Sequence, residues 1–245
     1  LGLRWLTLPS DEVYIANWTG MSSFFQSGGR LTYFRVEQEI ITRGKANNTC
    51  TPALGVLAWL MDRVNSSKRN LMLAYGELIH TQREKDFIDV KTGNYLDDDI
   101  DLWAPLETLT YIAKQEEYMF KKFGWTGRVF YSGRKHVIFM QIVATCGHSP
   151  AMKIGKARAN EPTIEIYPLP IVRIDSTFIA KDLWHGTMFP AEMIYPPQHV
   201  SLKSRKTHLP LNLQLPRNVS AILNCLYGDW RIFSRQHARA NTFCE

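Results

Sequence analysis

The sequence predicts an α/β (α+β) fold, in which a small mixed sheet is flanked by helices and long loops. Three short segments have the alternating or continuously apolar pattern of strands, at residues 71–75, 99–102 and 163–167. Two segments have the apolar period of helices, at residues 51–64 and 104–123. We therefore expect the three strands to be neighbours in one sheet, with both helices packed against it.

The composition indicates a globular protein and favours some kinds of binding partner over others. Hydrophobic residues make up 45% of the 245 residues and charged residues 21%, which is enough apolar material for a core. The net charge is +6, and no block of Lys and Arg is long enough to follow a nucleic-acid backbone, so an anionic substrate is favoured over nucleic acid. Since no apolar run reaches about 18 residues, we expect no membrane span in this chain.

We expect two parts in the chain. Residues 1–50 scatter aromatic side chains among Gly, Ser and Thr, and we interpret them as an N-terminal extension packed on the core. Residues 51–245 then form a single domain. Because the chain begins at Leu1 and not at a methionine, we expect a fragment, or a mature form that has lost its targeting segment.

The first predicted helix leads into the first predicted strand. Helix 51–64 begins with Thr51 as its N-cap and has Pro52 at the first helical position, where the missing N–H costs nothing. Strand 71–75 follows, and we expect a turn at Gly76 to close it.

The strand at 99–102 contains the residues that we expect to carry the chemistry. Side chains alternate across a sheet, so Asp99 and Asp101 lie on one face, where they repel each other unless a divalent cation lies between them. Mg²⁺ suits such a site because it takes few protein carboxylates and completes its shell with water and substrate phosphates. Glu165, between two isoleucines in strand 163–167, is the expected third acid. The alternative is a solvated acidic turn, which these apolar neighbours disfavour.

Proline and glycine residues mark the ends of the second and last predicted helices. Helix 104–123 opens at Pro105 directly after the acidic strand, so its positive end should favour the ionised acids. Gly124 is its expected C-cap. The last helix, 218–226, ends at Tyr227-Gly228.

Two further segments are predicted with less regular structure. Residues 125–145 form a hairpin whose turn carries three cations, which are either solvated or a basic rim for a diphosphate. The three cations are Arg134, Lys135 and His136. Residues 146–162 are a loop, and residues 171–210 are loop-rich because their prolines preclude long helices.

Four cysteines and four N-glycosylation sequons favour the lumen of the secretory pathway, in the Golgi or the ER. The cysteines are Cys50, Cys146, Cys225 and Cys244. The sequons begin at Asn17, Asn47, Asn65 and Asn218. The four cysteines allow three connectivities; Cys225–Cys244 is the expected bridge, since the two are close in sequence and would fix the C-terminal tail. A cytosolic protein with reduced thiols is the alternative.

Four blocks of the sequence occur in a recognisable order. They are 76–88 (Gly-Glu-Leu-Ile-His-Thr-Gln-Arg-Glu-Lys-Asp-Phe-Ile), 97–101 (Asp-Asp-Asp-Ile-Asp), 163–169 (Thr-Ile-Glu-Ile-Tyr-Pro-Leu) and 226–230 (Leu-Tyr-Gly-Asp-Trp). The set resembles the LicD/fukutin family of nucleotidyltransferase-fold phospho-alcohol transferases. The matching family blocks are Gly-Thr-Leu-Leu-Gly-Ala-Val-Arg-x-Lys-Gly-Phe-Ile, Trp-Asp-Asp-Asp-Ile-Asp, Ile-Asp-Ile-Phe-Pro-Leu and Tyr-Gly-Asp-Trp.

The chain also departs from the family pattern. Glu77 stands where the family has Thr or Ser, and His80 and Asp86 stand where it has Gly. Residues 89–95 look like an insertion before the acidic block.

The resemblance implies metal-dependent transfer of a phospho-alcohol, of the phosphocholine or ribitol-phosphate type, from a CDP-linked donor to a glycan or glycoprotein acceptor. It implies that Asp99, Asp101 and Glu165 are catalytic and bind one or two Mg²⁺ or Mn²⁺ ions. The residues that it implies for donor binding are Gly76, Glu77, Arg83, Gly228 and Asp229. Among them Arg83 would clamp a phosphate with two hydrogen bonds.

Two other functions stay open. A glycan-binding or scaffold protein that keeps the fold without catalysis is favoured by Glu77 and the missing glycines, and disfavoured by the three retained acids. Nucleotidyl transfer to a small molecule or to RNA is the enzymatic alternative, in which the lack of a basic stripe disfavours RNA. For Arg83, a surface ion pair with Glu84 or Asp86 is the alternative role.

Overall fold

The computed structural model of this chain describes residues 51–89, 91–132, 137–144, 162–232 and 243–244. The strands of these parts are β1 (Met72–Leu73), β2 (Asp99–Ala104), β3 (Trp125–Ser132), β4 (Val137–Ala144), β5 (Thr163–Pro168), β6 (Ile171–Ile174), β7 (Thr177–Lys181), β8 (Met188–Pro190), β9 (Gln198–Lys203) and β10 (Pro210–Leu215). The helices are α1 (Ala53–Ser66), α2 (Tyr75–Arg83), α3 (Leu106–Ala113), α4 (Glu116–Phe123), α5 (Ala191–Ile194) and α6 (Val219–Tyr227). The predicted extension 1–50 and the turn cations Arg134, Lys135 and His136 lie outside the described residues.

A seven-stranded mixed sheet organises these elements, in the order β3-β4-β5-β2-β1-β10-β9. The pairs β2–β5 and β1–β10 are parallel, and the other pairs are antiparallel. A smaller sheet of three strands has the order β6-β7-β8. The predicted α/β fold with a mixed sheet is confirmed, as is the adjacency of the three strands singled out in the sequence, which are β1, β2 and β5. The predicted hairpin is also confirmed, as β3 and β4.

Strand β2 lies in the middle of the large sheet, and one of its two faces is apolar. Ile100 and Leu102 are buried, and they alternate with Asp99 and Asp101, which are half-buried on the opposite face. Helix α1 packs against β10, β5 and α3, and buries its own apolar stripe in the same core. The sheet therefore presents both aspartates on the face away from these isoleucine and leucine side chains.

The predicted helix 104–123 is wrong, since two helices occupy this segment. α3 ends at Ala113, α4 begins at Glu116, and residues 114–115 form a turn between them. α3 packs against α1 and β5, whereas α4 packs against β3, so the chain changes direction to reach a different partner. The hydroxyl of Thr126 on β3 donates to Oε1 of Glu116 at 2.7 Å and fixes the start of α4. Gly124 ends α4 in the left-handed region, as predicted, with a φ of 72°.

The predicted strand 71–75 is shorter than expected, because β1 contains two residues and α2 begins at Tyr75. Gly76 therefore lies in the first turn of a helix, and the predicted turn after a strand is wrong. This places Glu77 in the same first turn, directed by the helix and not by a loop.

The predicted loop-rich character of residues 171–210 is also wrong. This segment forms β6, β7, β8, the short helix α5 and β9. Its prolines do not interrupt the strands, because Pro190 is the last residue of β8 and Pro210 the first residue of β10, where strands tolerate a missing N–H. Only α5, with four residues, is helical there, as the prolines predict.

The described part of the C-terminal tail is fixed to the small sheet. Cys244 forms a disulfide with Cys225 of α6, which confirms the expected pair, and its backbone N–H donates to the carbonyl of Met188 in β8 at 2.9 Å. Cys50 and Cys146 lie outside the described residues. None of the helices in the described parts combines the length and the apolar character that crossing a membrane requires.

Candidate metal centre

Strands β2 and β5 bring the three predicted acids together. In their parallel register Asp101 lies beside Glu165, and Asp99 lies beside Thr163, one step along the same face. Carboxylate oxygens of Asp99, Asp101 and Glu165 all lie within 4.8 Å of one another. This spacing allows all three to share one cation.

Glu165 is held by hydrogen bonds on both of its oxygens. Gln141, its register partner on β4, donates from Nε2 to Oε1 at 2.7 Å, and the hydroxyl of Tyr167 donates to Oε2 at 2.5 Å. Tyr167 reaches it because residues two apart on a strand share a face. These contacts orient the carboxylate, in the way that outer-shell groups orient metal ligands.

Asp101 has a buried oxygen, Oδ1, with no hydrogen-bond partner among the described residues. Burial, followed by the charges of Asp99 and Glu165, holds the pKa of Asp101 well above its usual range. Burial and the charge of Glu165 likewise raise the pKa of Asp99 to about 7. The sequence-based expectation that a helix end favours the ionised acids is therefore wrong, because α3 begins after the far end of β2 while burial and mutual repulsion act at the acids themselves.

A second group of acids adjoins the first. Carboxylate oxygens of Glu77, Asp97 and Asp99 lie within 4.8 Å of one another, so Asp99 belongs to both groups. Glu77 is only 1% exposed, and its Oε2 has no hydrogen-bond partner among the described residues. Burial, followed by the charges of Asp101 and Asp97, raises its pKa well above the usual range.

Asp97 is the most open acid of the second group, with 44% of its side chain exposed, and a histidine lies beside it. Nε2 of His80 on α2 lies 4.0 Å from Oδ2 of Asp97, and this contact, more than any other, lowers the pKa of Asp97. Oδ2 also lies 3.3 Å from the position that a Cβ of Gly76 would occupy. A glycine at this position is therefore what lets the carboxylate approach the first turn of α2 so closely.

The two groups have the chemistry of a divalent-cation site. They supply only carboxylate oxygens, which are the ligands that Mg²⁺ and Mn²⁺ favour. Two of these oxygens, Oε2 of Glu77 and Oδ1 of Asp101, are buried and have no hydrogen-bond partner among the described residues. A bound cation would satisfy both oxygens and offset the repulsion between the acids. This cluster of acidic residues could therefore bind a divalent metal.

Aromatic rings border the acids on the side of β5. Tyr167 stacks on Phe139 with ring centroids 5.3 Å apart, and it also contacts Trp184 at 5.4 Å and Tyr75 at 5.5 Å. Because the hydroxyl of Tyr167 also donates to Glu165, the group of aromatic rings is in direct contact with the acid cluster.

The fully buried Asp182 fixes this aromatic group. It accepts the hydroxyl hydrogen of Tyr75 at 2.7 Å and the backbone N–H of Trp184 at 2.9 Å, and its Oδ2 lies 3.2 Å from Nδ1 of His185. Tyr75 directly precedes Gly76, so this network also fixes the start of α2.

The remaining predicted donor-binding residues lie at or just after the C-terminal ends of α2 and α6. Arg83 ends α2, and its Nε lies 3.9 Å from Oε1 of Glu84, which is the ion pair expected as its alternative role. Gly228 ends α6 with a φ of 70°, and the exposed Asp229 lies 3.9 Å from Arg231. Nothing in the described contacts joins Gly228 or Asp229 to the acids.

Tyr227, one residue earlier in that block, is the residue that lies close to the cluster. Burial raises its pKa, and the charges of Asp101 and Glu77 raise it further. Helix α6, which ends at Tyr227, packs against α2, the helix that contains Glu77. Tyr227 is not among the residues predicted from the sequence, because its position relative to the acids depends on how α6 packs.

No protein-family model matches the chain, and no curated protein matches its sequence.

Proposed function

We propose that this chain transfers a phospho-alcohol, of the phosphocholine or ribitol-phosphate type, from a CDP-linked donor to a glycan or glycoprotein acceptor, as a transferase of the LicD/fukutin type. The observation that supports the proposal best is that carboxylate oxygens of Asp99, Asp101 and Glu165 lie within 4.8 Å of one another, while the buried Oδ1 of Asp101 has no partner in the described parts of the chain. Such a centre suits Mg²⁺ or Mn²⁺ together with a diphosphate.

In this proposal Asp99, Asp101 and Glu165 would hold the cation, which when bound would supply positive charge against the diphosphate and the leaving CMP. The acceptor hydroxyl oxygen forms a bond to the phosphorus that carries the alcohol, and the bond from that phosphorus to the bridging oxygen breaks. CMP leaves, and a carboxylate of the centre takes the hydroxyl proton. Gln141 and Tyr167 keep Glu165 oriented throughout.

The surroundings of the acids support a donor site. Gly76 and Glu77 open α2 beside the acids, and Arg83 lies at the other end of this nine-residue helix. The half-buried rings of Phe139 and Trp184 offer flat surfaces, which suit a nucleobase or, by cation–π attraction, a quaternary ammonium group.

A catalytically impaired glycan-binding or scaffold protein is the second candidate, and Glu77 favours it. This residue stands where the family has a small hydroxyl side chain, and it adds a buried carboxylate beside Asp97 and Asp99. When it is ionised and no metal is bound, this carboxylate repels a diphosphate.

The deciding experiment measures CMP release from CDP-choline and CDP-ribitol, with and without Mg²⁺, for the wild type and Asp101→Asn. We expect the variant to lose at least about 100-fold in turnover, since the diphosphate charge is no longer offset, while its metal-free melting temperature is unchanged or higher because like-charge repulsion is relieved. The exposed Asp175→Asn is the matched control and should keep full activity. An Asp101→Asn enzyme that turns over like the control would refute the metal assignment, and a wild type inactive with both donors would favour the scaffold.

We further propose that the chain works in the lumen of the secretory pathway, in the Golgi or the ER. The Cys225–Cys244 disulfide supports this location, since such bonds persist in oxidising compartments. Glycosidase treatment of the protein secreted from eukaryotic cells tests this location.

A further inference from the structure

Glu77 is the strongest unexplained feature of the acid cluster. Glu77 is 1% exposed, and its Oε2 is costly to bury because it loses its hydration and has no hydrogen-bond partner among the described residues. Glu77 lies in the first turn of α2, where its direction is set by the helix and by the packing of α2 on β2. The carboxylate is therefore held facing Asp97 and Asp99, within 4.8 Å of both.

The charges of the cluster exceed what one dication offsets. Five carboxylates, those of Glu77, Asp97, Asp99, Asp101 and Glu165, lie in the two linked groups. Among the described residues the only ion pair to any of them comes from His80, at 4.0 Å from the outermost acid. A single dication between Asp99, Asp101 and Glu165 would leave an ionised Glu77 without a cation of its own among the described residues.

The three acids of the second group suit a cation by their spacing. Neighbouring oxygens around a six-coordinate Mg²⁺ lie about 3 Å apart and opposite ones about 4 Å apart, since each bond is about 2.1 Å long. The oxygens of Glu77, Asp97 and Asp99 fall within 4.8 Å, so a small side-chain adjustment brings them to these distances. The exposure of Asp97 leaves the site open to water or phosphate as further ligands.

We propose that Glu77, Asp97 and Asp99 form a second divalent-cation site next to the first, with Asp99 shared between the two ions. The proposal rests on the proposed function for its catalytic meaning and deepens it. It turns Glu77 from an obstacle to a diphosphate into a ligand that brings a further positive charge to the donor. On this assignment the replacement of Thr or Ser by Glu changes how the donor is held and does not abolish the site.

The experiment counts bound Mn²⁺ by electron paramagnetic resonance on the whole chain, with Mn²⁺ alone as the ligand. We expect two ions in the wild type, one in Glu77→Gln and one in Asp97→Asn, while the exposed Glu192→Gln control retains two. Asp97→Asn changes a half-exposed side chain, so it decides the question if Glu77→Gln does not fold. Melting without metal confirms that each counted variant is folded.

Each other outcome rejects the second site. One ion in the wild type, or two ions in both folded variants, overturns this inference and leaves the centre of the proposed function standing. Loss of both ions in Asp97→Asn shows a single shared centre and also overturns it. No bound Mn²⁺ in the wild type overturns both proposals together.

Discussion

Tyr167 supports the centre through one hydroxyl, which donates to Oε2 of Glu165. Outer-shell hydrogen bonds of this kind are worth about 10- to 100-fold in metal affinity. We expect Tyr167→Phe to weaken Mn²⁺ binding by about that factor, measured by titration calorimetry, because Glu165 then keeps the hydrogen bond from Gln141 on Oε1 but loses the one on Oε2. Tyr195→Phe is the matched control, since the buried hydroxyl of Tyr195 has no partner among the described residues. Equal affinities in the two variants would show that this hydrogen bond does not position the ligand.

Asp99 should make the metal-free protein less stable as the pH rises. Its pKa is raised to about 7 in the folded state by burial and by Glu165, whereas an unfolded Asp has a pKa of about 3.9. The folded state holds the proton more tightly, so this stability is fully present below about pH 4 and is lost as the pH rises through about 7. The raised pKa values of Asp101 and Glu77 act in the same direction.

We therefore expect the melting temperature in EDTA to fall from about pH 5 to about pH 8, with a smaller fall in Asp99→Asn than in Asp175→Asn. Saturating Mn²⁺ should remove most of the fall, since the cation replaces the protons. Parallel curves for the two variants would exclude Asp99 as a source of the pH dependence.

The sequence predicts Asp99, Asp101 and Glu165 because their positions follow from one rule, the two-residue period of a strand. Once β2 and β5 are neighbours, the acids must meet on the shared face. No such rule relates Glu77 to Asp97, since one lies on a helix and the other in the segment before β2. Their approach depends on the packing of α2 against the sheet, which sequence spacing does not contain.

At the scale of elements, helix α6 begins at a residue with two possible roles. Asn218 is its N-cap, with Oδ1 accepting the backbone N–H of Ala221 at 3.2 Å, and it is also an exposed sequon. A glycan attaches through the amide nitrogen, so the capping oxygen stays available. Asn65 differs, because its Nδ2 already donates to the carbonyl of Asn212 at 3.2 Å.

We expect Asn218→Asp to keep the stability of α6 and Asn218→Ala to lose about 1 kcal/mol of the free energy of unfolding, because only Asp retains the capping oxygen. In protein secreted from eukaryotic cells, both variants should lose one glycosidase-sensitive step in gel mobility. Unchanged mobility of the wild type after glycosidase would count against modification and against the lumenal proposal.

Element boundaries show where sequence patterns stop being informative. The apolar stripe through 104–123 is continuous, but α3 and α4 face different partners, and the turn at 114–115 is set by the position of β3. The prolines of 171–210 exclude long helices but do not exclude strands, which place their prolines at the ends. In both segments the tertiary contacts, and not the local sequence pattern, determine which helices and strands form.

At the scale of the molecule, the centre joins elements that are far apart in the chain. Its acids come from α2, β2 and β5 and from the segment before β2. This cluster is acidic, although the net charge of the whole chain is +6. A cation that binds these acids only in the folded state must stabilise the fold as a whole.

We expect Mg²⁺ with CDP to raise the melting temperature of the wild type, by an amount that corresponds to about 2.7 kcal/mol at a hundredfold excess over the dissociation constant. EDTA should reverse the shift, and Asp101→Asn should show little of it. A wild type that melts at the same temperature under both conditions would favour the non-catalytic scaffold.

The disulfide between Cys225 and Cys244 has a practical consequence for such assays. It closes a covalent loop over a separation of 19 residues, and this loop contains Tyr227, whose ring lies near the acids. A reducing agent, or production in a reducing cytosol, opens the loop and releases both the end of α6 and the tail held against Met188. Transferase measurements in thiol-containing buffer therefore report on a different molecule from the oxidised one, and thiol-free buffer is the condition in which the geometry described above can be tested.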